Sequence, residues 1–177
     1  MPSADPSEPP PARTLVDFTE IGLMIPRLRG GDAASVIQEL TSALQQGNRV
    51  PDALPFYEAA LNREYLAGTD TEAGMAFPHA RLVGLSQVSF ALGRSAEPLR
   101  WGPHSVNRVR LVFLMAFPAT EAMQSLRVIS GLARLSKQEA LVARLISAPD
   151  AARMCEVLRE VSLRGSARPE VADGTAS

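Results

Sequence analysis

The sequence predicts an α/β domain in which helices flank a sheet, and three observations carry that prediction. One is the stretch Arg108 to Phe117, where Val109, Leu111, Val112, Phe113, Leu114 and Met115 follow almost without interruption. A run so apolar reads as a strand covered on both faces, because successive side chains point to opposite sides of a sheet. Another is the set of stretches before and after it whose apolar residues recur at helical spacing. The third is the presence of shorter pieces in which β-branched and aromatic residues alternate with small or polar ones.

Taken in order, Asp32 can cap a helix whose apolar residues are Val36, Ile37, Leu40 and Leu44, with Gly47 where a C-terminal glycine belongs. Pro55 to about Leu66 forms a second helix, with Tyr57, Ala60 and Leu61 inward and Arg63 and Glu64 near its end. Gly68 opens a loop. Gly74 to Phe77 and Val88 to Leu92 read as strands, and Arg108 to Phe117 as the centre of the sheet. Beyond Pro118, Thr120 can cap a helix carrying Met123, Leu126, Ile129, Leu132 and Leu135, a stripe read as core packing. Two further helices fall near Glu139 to Ile146 and Asp150 to Val161.

The folded body spans residues 14–163. Five prolines between Pro2 and Pro11, with Ser3, Asp5, Ser7 and Glu8 among them, mark residues 1–13 as a disordered tail, and residues 164–177 are similarly small and polar. The body is one domain, for 177 residues of which 46% are hydrophobic can supply one sizeable core.

Composition also removes several functions. Eighteen basic and nineteen acidic residues give a net charge of −1 with neither sign gathered into a block, which argues against nucleic acid. The longest apolar run, Leu111 to Pro118, is far shorter than the ~20 residues of a membrane-spanning helix. One cysteine and no secretion signal give a cytoplasmic location as the expectation. Cys155, among Met154, Val157 and Leu158, reads as core. Two separated histidines lack the spacing of a metal site, and no Gly-Lys-Ser/Thr phosphate loop is present, so neither metal nor organic cofactor is expected.

Of the two histidines, His104 lies in a turn between Gly102 and Asn107, where a polar residue needs no special explanation. His79 follows Pro78 and the apolar piece Met75 to Phe77, which places it at a strand end. On its own such a histidine more often ends a strand and touches solvent than performs chemistry.

Its surroundings change the weighting. The stretch Arg63, Glu64, Tyr65, Leu66, Gly68, Thr69, Gly74 to Arg81, continued by Pro98, Leu99, Trp101, Gly102, the run Val109 to Pro118 and the segment Gln124 to Leu135, resembles a known family. It is similar to the enzyme IIA domains of the mannitol and fructose (type 2) class of the bacterial phosphoenolpyruvate-dependent sugar phosphotransferase system, including the nitrogen-related branch. The likeness covers nearly the whole body.

The resemblance implies a three-layer sandwich, a mixed sheet with helices on both faces. It implies that His79 accepts a phosphoryl group from the histidine phosphocarrier protein and passes it to a IIB domain or a regulatory target. It makes Arg63 the donor to the phosphoryl oxygens, a role suited to a side chain that stays charged and can bond two oxygens at once. Thr69 can add a hydroxyl to the same anion or serve its own turn.

Two features depart from the family. A second histidine usually stands on the helix after the central strand, and here that position is Ser125, which can donate one hydrogen bond but cannot become a cation. The loop also carries Asp70 and Glu72, whose charge would repel an incoming phosphoryl group unless they point elsewhere. A second reading therefore stands beside the first: a non-catalytic regulatory or binding module that keeps the fold.

Overall fold

The computed structural model describes residues 13–163; both sequence tails otherwise lie outside the described residues. The chain forms β1 (Met24–Ile25), α1 (Ala33–Gln46), α2 (Ala53–Leu66), β2 (Met75–Ala76), β3 (His79–Leu82), β4 (Ser89–Arg100), β5 (Arg108–Pro118), α3 (Ala122–Ser136), α4 (Glu139–Ser147) and α5 (Ala151–Arg159), after short 3-10 turns at Leu15–Phe18 and Ile21–Leu23.

The strands make one mixed five-stranded sheet in the order β1-β4-β5-β2, with β3 also on β5. β4 and β5 are antiparallel, whereas β1 runs parallel to β4, and β2 and β3 run parallel to β5. Val109 and Leu111 to Ala116 are all at most 2% exposed, so both faces of β5 are covered, as the uninterrupted apolar run requires. Helix α1 packs on β4 and β5, α2 on β3, α3 and α4 on β5, and α5 on β1. The architecture is the anticipated α/β sandwich.

Several boundaries differ. Asp32 caps α1 by accepting from Ser35 N at 2.8 Å, but the left-handed residue after the helix is Asn48 (φ 56°) rather than Gly47, the C-cap. Helix α2 begins at Ala53, which leaves Pro55 inside the first turn, where its missing N–H has no intrahelical partner to lose. The strand expected at Val88 to Leu92 runs on to Arg100, with a register shift between Arg94 and Leu99. The N-cap position of helix α3 is Glu121, not Thr120, and its side chain makes no capping hydrogen bond.

The larger correction concerns α3. The stripe Met123, Leu126 and Ile129, expected to pack, is 67%, 56% and 41% exposed. The face that packs is displaced by one position around the helix: Ser125, Val128, Leu132 and Leu135, with Gly131. Small residues explain the choice. A Cβ on Gly131 would lie 2.4 Å from Leu163 Cδ2 and 3.0 Å from Leu15 Cδ2, so this face approaches its neighbours more closely than a larger residue would permit.

Candidate functional site

A broken sheet edge positions the site. β2 and β3 pair with β5 in one continuous register, Met75 opposite Leu111 and His79 opposite Met115, interrupted only at Phe77 and Pro78. Pro78 cannot donate to a ladder, yet its carbonyl accepts from Met115 N at 3.0 Å, so the edge resumes immediately and His79 is the first residue of β3. The sequence placed His79 at a strand end without showing that a second strand starts there.

The His79 ring is half-buried. Its Nδ1 lies 2.9 Å from Phe77 O. A carbonyl oxygen only accepts, so Nδ1 carries the hydrogen and, in the neutral ring, the lone pair is on Nε2. The ring also stands 5.8 Å, centroid to centroid, from Phe117 on β5.

Arg63, in the last turn of α2, donates from Nη1 to Ala67 O at 2.9 Å, which satisfies a helix-terminal carbonyl and holds the guanidinium near the loop. Arg63 and His79 line one open cavity of about 360 Å³, with Arg81 and Phe117. The two residues expected to converge therefore do so. Arg81, from the same stretch of sequence but not singled out as a site residue, joins them.

Thr69 does not line that cavity. Its hydroxyl donates to Glu64 Oε2 at 2.8 Å and accepts from Phe77 N at 2.9 Å, while its own N–H donates to Glu64 Oε1 at 2.7 Å. Trp101 Nε1 donates to the same Oε1 at 2.7 Å. Glu64, 5% exposed, is thus a buried carboxylate with three donors around it, the condition under which a buried charge is tolerated. Through Thr69 it holds Phe77 N, and through Phe77 O it determines where the His79 ring sits. Sequence reasoning left Glu64 without a role of its own; its place beside Arg63 near a helix end, followed by a glycine loop, was the available signal.

Ser125 is fully buried and its hydroxyl donates to Glu121 O at 2.8 Å, the preceding helical turn, so it too lies outside the cavity lining. Asp70 faces away from His79: it accepts from Asn107 Nδ2 at 2.8 Å and from Ser105 Oγ, in the turn between β4 and β5. Together with Glu64, Trp101 and His104 it lines a separate cavity of about 480 Å³. Glu72 is exposed. Among the described residues no group of three or more His, Cys, Asp or Glu could hold a metal ion, and no helix is long and apolar enough to cross a membrane.

Fold and site together define an α/β protein that presents an oriented imidazole in an open cavity shared with two guanidinium groups. A family model described as phosphoenolpyruvate-dependent sugar phosphotransferase system, EIIA 2, matches residues 18–161, and the chain belongs to that family, whose members are phosphoryl-transfer components. It is 27% identical over 128 residues to the PTS system fructose-specific EIIABC component of Bacillus subtilis (strain 168), covering 71% of this chain but only 20% of that much longer relative. The fold matches the crystal structure of nitrogen regulatory protein IIA-Ntr from Neisseria meningitidis with a TM-score of 0.74 at 22% identity, covering 81% of this chain and 97% of that one. It also matches, with a TM-score of 0.65 at 21% identity over 77% and 94% of the two chains, the complex of enzyme IIAMTL and phosphorylated enzyme IIBMTL from Escherichia coli.

Proposed function

We propose that this chain is a IIA component in which His79 Nε2 takes a phosphoryl group from the histidine phosphocarrier protein and passes it to a IIB domain or a regulatory target. The observation that carries the reading is the Nδ1 to Phe77 O bond, which leaves Nε2 as the nucleophile in a cavity shared with Arg63.

The step balances simply. The Nε2 lone pair forms a bond to phosphorus as the donor's N–P bond breaks, and that electron pair returns to the donor imidazole. Nδ1 keeps its proton throughout, and Phe77 O is already placed to accept from the more acidic N–H of the loaded ring. No covalent help is needed beyond orientation and charge stabilisation of the three transferring oxygens, the part given to Arg63. The partner is met on an apolar shoulder: Ile129 lines the cavity, and Met123 and Leu126 continue its exposed face along α3.

The burial of Ser125 favours the second reading, a regulatory module that binds without turnover, since that side chain adds no donor to the site. Incubation with phosphoenolpyruvate, enzyme I and the phosphocarrier separates the two. Transfer gives an acid-labile mass increase of one phosphate that is absent in His79→Ala; no increase in the wild type favours the module.

A further inference from the structure

On β3, His79 and Arg81 are two residues apart, so both side chains leave the same face of the strand. They share a wall. The Phe117 ring, 1% exposed and therefore held in place by the core, lies 5.8 Å from the His79 ring centroid and 5.5 Å from the Arg81 guanidinium carbon. Arg81 Nη1 donates to Pro118 O at 3.1 Å, so the planar head is supported on its face by the aromatic ring and at one edge by a carbonyl. One of its five N–H groups is engaged there, and the fork retains further donors.

The cavity that contains His79 is lined by both Arg63 and Arg81 and by no carboxylate. No ion pair joins either guanidinium to an acidic side chain among the described residues. Asp70, in the loop between α2 and β2, is tied to Ser105 and Asn107 instead. Two guanidinium groups without a carboxylate partner bring two positive charges to the imidazole, which matches the charge of about −1.5 to −2 on a phosphoryl group near neutral pH.

We propose that Arg81 is a catalytic residue of this site, the second arm of a two-guanidinium clamp that, with Arg63, faces the oxygens of the group carried on His79 Nε2. The inference rests on the reading of His79 as the phosphoryl acceptor. Arg81 would donate to the oxygens during transfer and remain on them in the loaded state, so its removal slows loading and exposes the N–P bond to water.

The test uses the full chain and phosphoramidate, a small phosphoryl donor that needs no protein partner, with loading followed by intact mass and the loss of phosphohistidine followed after donor removal. Arg81→Met keeps an unbranched side chain on Phe117 but removes the charge; Arg81→Lys restores the charge without the fork. Loading in Arg81→Met should fall by roughly a hundredfold, the lower end of the range of about a hundred- to a thousandfold seen for removal of one preorganised donor. Arg81→Lys should recover a measurable part of the rate, and the thermal midpoints of the two variants should agree within a few degrees. Loading and decay in Arg81→Met at wild-type rates would overturn the role of Arg81 alone. If neither phosphoramidate nor the phosphocarrier relay loads the wild type, the reading of His79 falls and this inference falls with it.

Discussion

Ser89 carries the one buried side-chain oxygen without a hydrogen-bond partner among the described residues, and it sits on β4 opposite Ala116 with no exposure at all. A hydroxyl in that position loses hydration and regains nothing, so Ser89→Ala should leave thermal stability unchanged or raise it, by up to ~1 kcal/mol in denaturant titration. A clear loss of stability would mean that Ser89 has a partner after all. Cys155 presents a different case of burial: removal from water pushes its thiol up from the ordinary value, with Arg159 opposing in the smaller sense. The thiolate is the reactive form, so iodoacetamide should label the native protein near neutral pH far more slowly than the urea-unfolded chain. Comparable rates would show that α5 opens freely. Its identity as core was legible because Met154, Val157 and Leu158 surround it at helical spacing. The opposite holds for Thr69: a hydroxyl in a polar loop has many local options, and only the fold shows that Glu64 and Phe77 are its partners.

At the scale of elements, the link from α2 to the broken edge determines how the imidazole is held. Thr69→Val removes the acceptor of Phe77 N and one donor of Glu64, which should cost about 1 to 3 kcal/mol on unfolding, whereas Thr69→Ser should recover most of it. The same pair separates positioning from chemistry, because Val should also broaden the His79 ring signals in NMR spectra while Ser should not. Gly74, immediately before β2, has φ +75° and a would-be Cβ 3.1 Å from Arg108 O, a backbone atom that cannot turn aside. Gly74→Ala is therefore expected to lower stability by roughly 1 to 2 kcal/mol, seen as a lower urea midpoint. Arg144 of α4 donates to both oxygens of Glu160, the residue after α5, at 2.8 Å. Those hydrogen bonds hold the Glu160 carboxyl below its ordinary value, so the contribution is present above about pH 4.3 and disappears as pH falls through the lowered value. Stability of Glu160→Gln should accordingly change less than that of the wild type on acidification from about pH 5 to pH 3. The pair is solvent-exposed, so high salt should shrink the difference.

For the molecule as a whole, the exposed face of α3 is where stability and the proposed docking can be separated. Met123, Leu126 and Ile129 do not hold the fold together, so Leu126→Ser should leave the thermal midpoint nearly unchanged while weakening capture of the phosphoryl donor protein, seen as a raised KM for the phosphocarrier with little change in loading by phosphoramidate. An unaltered KM would remove the shoulder from the docking surface. The α/β class, the buried central strand and the helices at their approximate places were legible in the sequence, because each rests on local patterns: an uninterrupted apolar run, helical spacing and a cap at Asp32. His79 drew attention through the family resemblance, since local pattern alone favours a histidine that merely ends a strand. The two-residue strands β1 and β2 and the restart at β3 were not legible in full, because such short pieces have no periodicity and exist only through pairing with β4 and β5. The packed side of α3, the engagement of Asp70 by the β4–β5 turn, the commitment of Thr69 and Ser125 to local partners, and the meeting of Arg63 and Arg81 beside one imidazole belong to tertiary structure alone. The physical reason is that hydrophobic periodicity identifies a helix and a strand from neighbours along the chain, whereas the direction a polar side chain takes depends on donors and acceptors delivered by segments far away in sequence.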